Sequence, residues 1–232
     1  MCGIAGIETS PNDDGETLGS LLAALRHRGP DDSGRISAAV WEIGMTRLAI
    51  MDPEHAHQPM CSADERWWLV VNGEIYNFRR LREDLIRDGV RLRTRSDTEV
   101  LLELIARRGP VEAIAAAEGM FALAAVDTHR QELWLGRDRF GEKPLYLDYR
   151  SGFGFASELT PLLARRGVSA RASAVGLIPL LRYGFPAPGT TAIEGISELP
   201  PAHWLRRTRS GNEIRGRYWA PPDRVDEEPG SL

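Results

Sequence analysis

Apolar residues recur along the chain in short runs, and the spacing within each run predicts either a strand or a helix. Strand spacing covers 2–9, 39–43, 46–50, 67–71, 90–95, 120–126, Glu132–Arg137, 144–149, 152–156, His203–Thr208 and 212–219. Helical spacing covers Leu18–Leu25, 77–87, the segment that follows Ser96, 157–164 and 173–183. Short turns separate the strands in the middle of the chain, so we expect hairpins rather than crossover units. The pattern predicts an α+β fold of two antiparallel sheets with helices outside them.

Two stretches break this pattern. Residues 26–34 contain Gly29, Pro30 and Gly34, which predict a loop. From Pro221 the chain becomes polar, acidic and proline-bearing, which is typical of a tail or linker that buries no core. We therefore predict one folded domain over 1–219 and a tail over 220–232.

Composition narrows the classes of partner and environment. The chain has 232 residues, of which 42% are hydrophobic and 27% charged, and its net charge of −4 gives no electrostatic case for binding nucleic acid or membrane. Two cysteines do not make a disulfide framework, and no signal peptide or apolar run approaching ~18 residues is present, so we expect a cytoplasmic protein. The five histidines are scattered, so no metal site is predicted.

The first residues offer the clearest candidate chemistry. Removal of Met1 would leave Cys2 with a thiol and a free α-amino group on the same carbon. This amine has a reference pKa of about 7.7–8.0, so near neutrality part of it is unprotonated and can act as a base. A thiol beside its own base is an activated nucleophile. A small buried cysteine at the start of a strand is the alternative, and other residues must decide between them.

An amide hydrolase built on Cys2 would need donors for the oxyanion of its tetrahedral intermediate. Asn72 and Gly73 could supply a side-chain amide and a backbone N–H. Arg47, at the end of a predicted strand, could grip an α-carboxylate with paired hydrogen bonds, and Asp97, at the start of a predicted helix, could hold an α-ammonium group. Each residue alone is more often a surface charge or a helix cap, so spacing leaves both interpretations open.

Several motifs occur together and in order. They are Cys2-Gly3-Ile4, Arg26-His27-Arg28-Gly29-Pro30-Asp31, Arg47-Leu48-Ala49-Ile50, Asn72-Gly73-Glu74-Ile75-Tyr76-Asn77, Ser96-Asp97-Thr98-Glu99, Glu118-Gly119-Met120-Phe121-Ala122, Gly136-Arg137-Asp138-Arg139-Phe140-Gly141-Glu142-Lys143-Pro144-Leu145-Tyr146 and Phe155-Ala156-Ser157-Glu158. Together they resemble the glutaminase domain of glutamine-dependent asparagine synthetase, a class II glutamine amidotransferase, from Cys2 to about Tyr218. The loop at 26–31 favours this branch over the phosphoribosyl-pyrophosphate and fructose-6-phosphate amidotransferases.

The resemblance implies an N-terminal-nucleophile αββα sandwich that hydrolyses glutamine. Cys2 would attack the side-chain amide, its own amine would move the proton, and a γ-glutamyl thioester would form and be hydrolysed. Asn72 and Gly73 match the oxyanion hole. The implied glutamine-binding residues are Arg47, Leu48, Ala49, Ile50, Met51, Asn72, Gly73, Glu74 and Asp97, of which Arg47, Glu74 and Asp97 hold the carboxylate and amino ends. The loop at 26–31 would close over the site.

The chain departs from the family pattern in small ways. Met45-Thr46 stand where the family usually has a histidine, and Leu159-Thr160 stand where it often has a lysine. Neither departure touches the implied chemistry. Cys61 lies in a region that varies in the family and is interpreted as an incidental thiol.

A larger departure concerns a second domain. Asparagine synthetases continue into an ATP-pyrophosphatase domain with a Ser-Gly-Gly-x-Asp-Ser loop, and this sequence contains no such loop. We therefore expect no cofactor in this chain, with ATP and magnesium required by a synthetase domain or subunit that is its partner. The ammonia acceptor, with aspartate as the family default, and self-association are left open. Two alternatives remain: a non-catalytic glutaminase-like subunit of a natural-product amide synthetase, and an N-terminal-nucleophile hydrolase acting on another amide.

Overall fold

The computed structural model describes residues 1–9, 18–165 and 169–222, and its strands form two antiparallel sheets. The strands are β1 Gly3–Glu8, β2 Asp32–Ala38, β3 Trp41–Arg47, β4 Met60–Cys61, β5 Trp67–Ile75, β6 Gly119–Asp127, β7 Glu132–Arg137, β8 Tyr146–Asp148, β9 Gly154–Ala156, β10 Ile196–Glu198, β11 His203–Thr208 and β12 Glu213–Arg217. The helices are α1 Leu18–Leu25, α2 Phe78–Arg87, α3 Asp97–Arg108, α4 Pro110–Ala116, α5 Leu159–Leu163 and α6 Ala174–Tyr183, with a 3₁₀ helix at Arg26–Arg28. The first sheet has the order β10-β8-β9-β1-β3-β2 and the second β12-β11-β7-β6-β5-β4.

The two sheets pack face to face, because their central strands alternate side chains between two apolar clusters. In β6, Ala122 lies in the cluster between the sheets, whereas Phe121 and Leu123 pack with helices α2, α3 and α4. In β1, Ile4 joins the cluster between the sheets, and Ile7 packs with α1 and α5. Burying such a side chain is worth about 1.5–3 kcal/mol, so both faces of each sheet contribute to stability. The predicted αββα sandwich is confirmed.

The hairpin that leads into the candidate site differs from the sequence prediction. Strands were expected at 39–43 and 46–50, but β3 runs continuously over Trp41–Arg47, and Ala39 forms the turn with a φ of 58°. Its partner β2 occupies part of the predicted loop at 26–34. As the edge strand of its sheet, β2 exposes alternate side chains, so it carries little of the apolar signal by which a strand is recognised.

The segment before α3 also differs from expectation. A strand was predicted at 90–95, but no strand forms there. The Glu99 carboxylate instead accepts the backbone N–H groups of Arg93 at 2.8 Å and Thr94 at 2.6 Å. Ser96 is the N-cap of α3 and accepts the N–H of Glu99 at 3.2 Å. Because Glu99 reaches back beyond the cap, it ties the preceding segment to the start of α3. Helix α4, which the sequence pattern missed, follows directly.

Candidate active site

Cys2 lies at the start of β1, beside the last residues of β3. Gly3 is paired with Thr46 across these strands, which brings Cys2 close to Arg47 and the segment after it. The Cys2 Sγ donates a long contact of 3.7 Å to the carbonyl oxygen of Leu48. Burial raises the pKa of the Cys2 thiol, and this effect is partly offset by the Leu48 contact and by the positive charges of the chain N-terminus, Arg47 and Arg28. A thiol of this kind needs a base to become a nucleophile.

A cavity of about 240 Å³ opens beside Cys2, and nearly all the site residues predicted from the sequence line it. Its lining comprises Met1, Cys2, Arg47, Leu48, Ile50, Met51, Ala56, Gln58, Val71, Asn72, Gly73, Glu74, Ser96, Asp97, Thr98, Met120 and Lys143. Ala49 is the exception among the predicted residues, and its backbone N–H donates to the Asp31 carboxylate at 2.9 Å. The two sheets and α3 thus contribute to one cavity, although the roles of the individual residues remain predictions.

The loop at 26–31 contacts Cys2 through Arg28. Its Nε donates to the carbonyl oxygen of Cys2 at 2.8 Å, and its Nη1 donates to Glu158 at 2.6 Å. Residues further along the loop, including Gly29, Pro30 and Asp31, border a second cavity of about 610 Å³ instead. In the geometry seen here, the loop therefore braces the nucleophile from one side, and its closure over the first cavity stays a prediction.

Arg47 is buried and shapes the segment that follows it. Its Nη2 donates to the carbonyl oxygens of Met51 at 2.8 Å and Asp52 at 3.2 Å, and its Nη1 donates to that of Pro53 at 3.1 Å. These bonds use three of the five guanidinium N–H groups. The structure thus gives Arg47 a second task, the folding of the cavity wall, alongside its predicted grip on a carboxylate.

Asn72 and Gly73 lie near the end of β5, on the opposite sheet from Cys2. Asn72 is 1% exposed, and its Nδ2 has no hydrogen-bond partner within the described residues. A buried amide donor left unpaired is costly, which is a mark of a group reserved for a ligand. Gly73 has a φ of +155°, and a Cβ at this position would overlap the carbonyl oxygen of Met120 in β6. Only glycine lets the two strands approach this closely beside the cavity.

Asp97 is the first residue of α3, and its carboxylate is held by the backbone. The N–H of Ile75 donates to it at 2.8 Å, and so does the N–H of Thr98. Burial raises the pKa of the Asp97 carboxyl, the two backbone bonds partly offset that rise, and nearby Glu74 adds to it. Glu74 is half-buried and borders the same cavity. Two carboxylates in one wall favour a ligand that carries an ammonium group.

Gln58 and Lys143 line the cavity but were not singled out from the sequence. The Oε1 of Gln58 accepts the backbone N–H of Val71 at 2.7 Å, and its Nε2 donates to the hydroxyl of Thr98 at 3.2 Å. Gln58 therefore links the residue before Asn72 to the residue after Asp97. It lies outside every motif, so no sequence signal pointed to it. Lys143 belongs to the motif at 136–146, but the spacing of that motif does not mark it as a cavity residue.

Within residues 1–9, 18–165 and 169–222, no group of three or more His, Cys, Asp or Glu side chains is arranged to hold a metal ion. None of the helices in this part of the chain is long and apolar enough to cross a membrane. Cys61 is half-buried and pairs with no other cysteine.

The sandwich and the cavity at Cys2 define an N-terminal-nucleophile type of fold, and comparisons with known proteins agree. The family model described as a glutamine amidotransferase domain matches residues 1–219, and the chain belongs to that family. Asparagine synthetase [glutamine-hydrolyzing] 3 of Bacillus subtilis is 35% identical over 226 residues, which cover 94% of this chain and 36% of that protein. Asparagine synthetase B of Escherichia coli is 37% identical over 152 residues, covering 64% of this chain and 27% of that protein.

A solved structure of lower sequence identity also supports the fold. The glutamine phosphoribosylpyrophosphate amidotransferase from B. subtilis, complexed with ADP and GMP, superposes with a TM-score of 0.69 at 20% identity, covering 94% of this chain and 49% of that one. The predicted resemblance to the glutaminase domain of asparagine synthetases is confirmed, as is membership of the class II glutamine amidotransferases. The chain spans about a quarter to a third of the length of the curated relatives it matches.

Proposed function

We propose that this domain hydrolyses glutamine to glutamate and ammonia, with Cys2 as the nucleophile once Met1 has been removed. The observation that carries the proposal is the buried Asn72 amide, unpaired within the described residues, in the same cavity as the Cys2 thiol and the Asp97 carboxylate. A thiol, an oxyanion donor and an anionic clamp for an ammonium group are the parts that glutamine hydrolysis needs.

The reaction begins with transfer of the Cys2 thiol proton to the α-amine of the same residue, and the sulfur attacks the amide carbon of glutamine. The Asn72 Nδ2 and the Gly73 N–H stabilise the negative charge on the amide oxygen. The C–N bond breaks, and the Cys2 ammonium returns its proton to the leaving nitrogen, which departs as ammonia. Water, deprotonated by the same amine, then attacks the thioester and releases glutamate with the thiol restored. Arg47, Glu74 and Asp97 hold the two ends of the amino acid, and residues 48–51 line its path.

The ammonia is destined for an ATP-dependent amidation by a synthetase domain or subunit, with aspartate as the favoured acceptor. Support comes from the relatives, which are named as asparagine synthetases and are about three to four times as long as the matched region. ATP and magnesium would be used there rather than by residues 1–219. The tail at 220–232 would link the two, although residues 223–232 lie outside the described part of the chain. We place the reaction in the cytoplasm.

The test is glutamine hydrolysis by purified protein whose N-terminus has been verified by mass spectrometry. Processed protein should release glutamate, and hydroxylamine should trap the thioester as a γ-glutamyl hydroxamate. Cys2→Ala and a form with an uncleaved extension before Cys2 should both be inactive. Absence of turnover by the processed protein, alone and with a synthetase polypeptide, would overturn the proposal in favour of a non-catalytic subunit. Arg47 and Asp97 variants with an unchanged KM for glutamine would indicate a different amide substrate.

A further inference from the structure

Lys143 is the one lysine in the chain, and hydrogen bonds from buried side chains fix its backbone. The fully buried Asp138 accepts the backbone N–H of Lys143 at 3.0 Å, together with those of Phe140 and Glu142. The guanidinium of Arg137 donates to the carbonyl oxygen of Lys143 at 2.8 Å. Both backbone groups of Lys143 are thus fixed by buried charged side chains, which fixes the point from which its side chain leaves the loop.

The Lys143 side chain extends into the cavity that contains Cys2. The residue is 8% exposed, and within the described residues the hydrogen-bond partner of its Nζ is the Met1 Sδ, at 3.7 Å. No carboxylate in that part of the chain lies within ion-pair distance of the ammonium. Buried lysines are rare unless they are paired, since removing the charge from water is costly. Met1 is also the residue whose removal is required by the proposed function, so processing takes away this partner.

Other charged groups line this cavity or contact Cys2 directly. They are Arg28 from the 3₁₀ helix, Arg47 from β3, Glu74 from β5 and Asp97 from α3. Arg28 is neutralised by its ion pair with Glu158, and Arg47 is engaged by three backbone carbonyls. In the proposed reaction Glu74 and Asp97 are occupied by the ammonium group of glutamine. Among the described residues, Lys143 is therefore the positive charge at this cavity that has neither an ion pair nor an assigned role in binding glutamine.

We propose that the Lys143 ammonium keeps the α-amine of processed Cys2 in its neutral, proton-accepting form, so that Lys143 is a positioning residue acting through Cys2. The inference rests on the proposed function. A second positive charge nearby disfavours protonation of an amine. As a general scale, two unit charges about 10 Å apart at an effective dielectric constant of about 20 shift a pKa by roughly one unit. The amine would then be available as a base at and below neutral pH, and the same charge favours the thiolate.

The first test is the pH dependence of kcat/KM for glutamine, which reports the ionisation of the free enzyme. Lys143→Met removes the charge at similar length and should move the acidic limb to higher pH by about one unit. Its rate should then be about tenfold below that of the parent at acidic pH and should approach the parent rate at high pH. Lys143→Arg retains a cation and should keep the limb near its parent position. Arg130→Met, an exposed residue at the opposite end of β6, is the control for net charge.

A second measurement does not depend on turnover. In a Cys2→Ala background the processed N-terminal amine can be converted to its ¹³C-dimethyl form and titrated by NMR. With Lys143→Arg the N-terminal signal is the sole one, because no other lysine exists. In the Cys2→Ala background, the pKa of the N-terminal amine should be about one unit higher with Lys143→Met than with Lys143→Arg. Equal values in the two proteins would overturn the proposal. If thermal melting shows that the Lys143→Met variant is unfolded, Lys143→Gln takes its place. A titration shift without any glutamine hydrolysis would support this inference while the proposed function fails.

Discussion

Arg28 holds the candidate nucleophile by its backbone, because its Nε donates a 2.8 Å hydrogen bond to the carbonyl oxygen of Cys2. The same guanidinium is anchored by Glu158, which accepts from Arg28 at 2.6 Å and contacts His27 at 3.1 Å. After Met1 is removed, Cys2 has no preceding residue to restrain it. The chain Glu158–Arg28–Cys2 therefore restrains the position of the residue that carries both the thiol and the base.

We expect Glu158→Gln to lower kcat/KM for glutamine by about tenfold, because a hydrogen bond to a charged group contributes about 1.5–3 kcal/mol and its loss frees Arg28. Although burial raises the pKa of the Glu158 carboxyl, the bonds from Arg28 and His27 bring the pKa below its ordinary value, so the carboxylate is ionised throughout the neutral range. Steady-state kinetics check the effect. Glu83→Gln, an exposed residue on α2, is the matched control, and equal activity of the two variants would contradict the prediction.

Asn72→Ala should lower kcat while leaving the free energy of unfolding nearly unchanged. Because the Nδ2 of Asn72 has no hydrogen-bond partner in the described structure, its loss removes no bond that is visible there. Loss of one oxyanion donor typically lowers kcat about 10²–10³-fold. We therefore expect that reduction in kcat, a KM close to the parent value, and a free energy of unfolding that does not fall by more than about 1 kcal/mol. A large loss of stability with unchanged kcat would mean that Asn72 is a structural residue.

The sequence predicted the two sheets because central strands such as β7 carry apolar side chains on both faces. It placed β2 poorly, since an edge strand that exposes alternate residues has little apolar pattern to find. Asp97 could be placed at a helix start from the capping residue Ser96. Gln58 could not be found, because its importance lies in bonds to Val71 and Thr98 that are distant in sequence. Cavity residues defined by tertiary contacts leave no local pattern.

Gly73→Ala and Gly119→Ala form a matched pair across β5 and β6. A Cβ at Gly73 would overlap the carbonyl oxygen of Met120, and one at Gly119 would overlap that of Glu74, at φ values of +155° and +156°. Both variants should lose about 3 kcal/mol or more of unfolding free energy in urea denaturation. Gly89→Ala, where φ is +80° but no heavy atom lies near the added Cβ, should lose only about 1 kcal/mol. Equal losses in all three would show that backbone overlap is not the cause.

The affinity for glutamine should depend on pH through Asp97. Burial raises the pKa of this carboxyl despite the bonds from Ile75 and Thr98, so it takes up a proton at a higher pH than an exposed aspartate. Only the ionised form attracts the ammonium group of glutamine. KM should therefore be constant near neutrality and rise as pH falls through the raised pKa, with a smaller change in kcat. Asp97→Asn should have a high KM that shows no such rise, and a parent KM that stays flat on acidification would contradict the prediction.

Gln58→Leu should weaken both the fold and the cavity. The substitution leaves the buried backbone N–H of Val71 without its acceptor, which costs about 1–3 kcal/mol, and it removes the bond to Thr98 beside Asp97. We expect that loss in urea denaturation, together with a raised KM for glutamine, because Asn72 and Asp97 adjoin the two freed residues. Gln131→Leu makes the same change at a side chain whose partner, Arg209, is exposed, and it should alter stability by no more than about 0.5 kcal/mol. If Gln58→Leu raised KM no more than Gln131→Leu, Gln58 would be a stabilising residue without influence on the cavity.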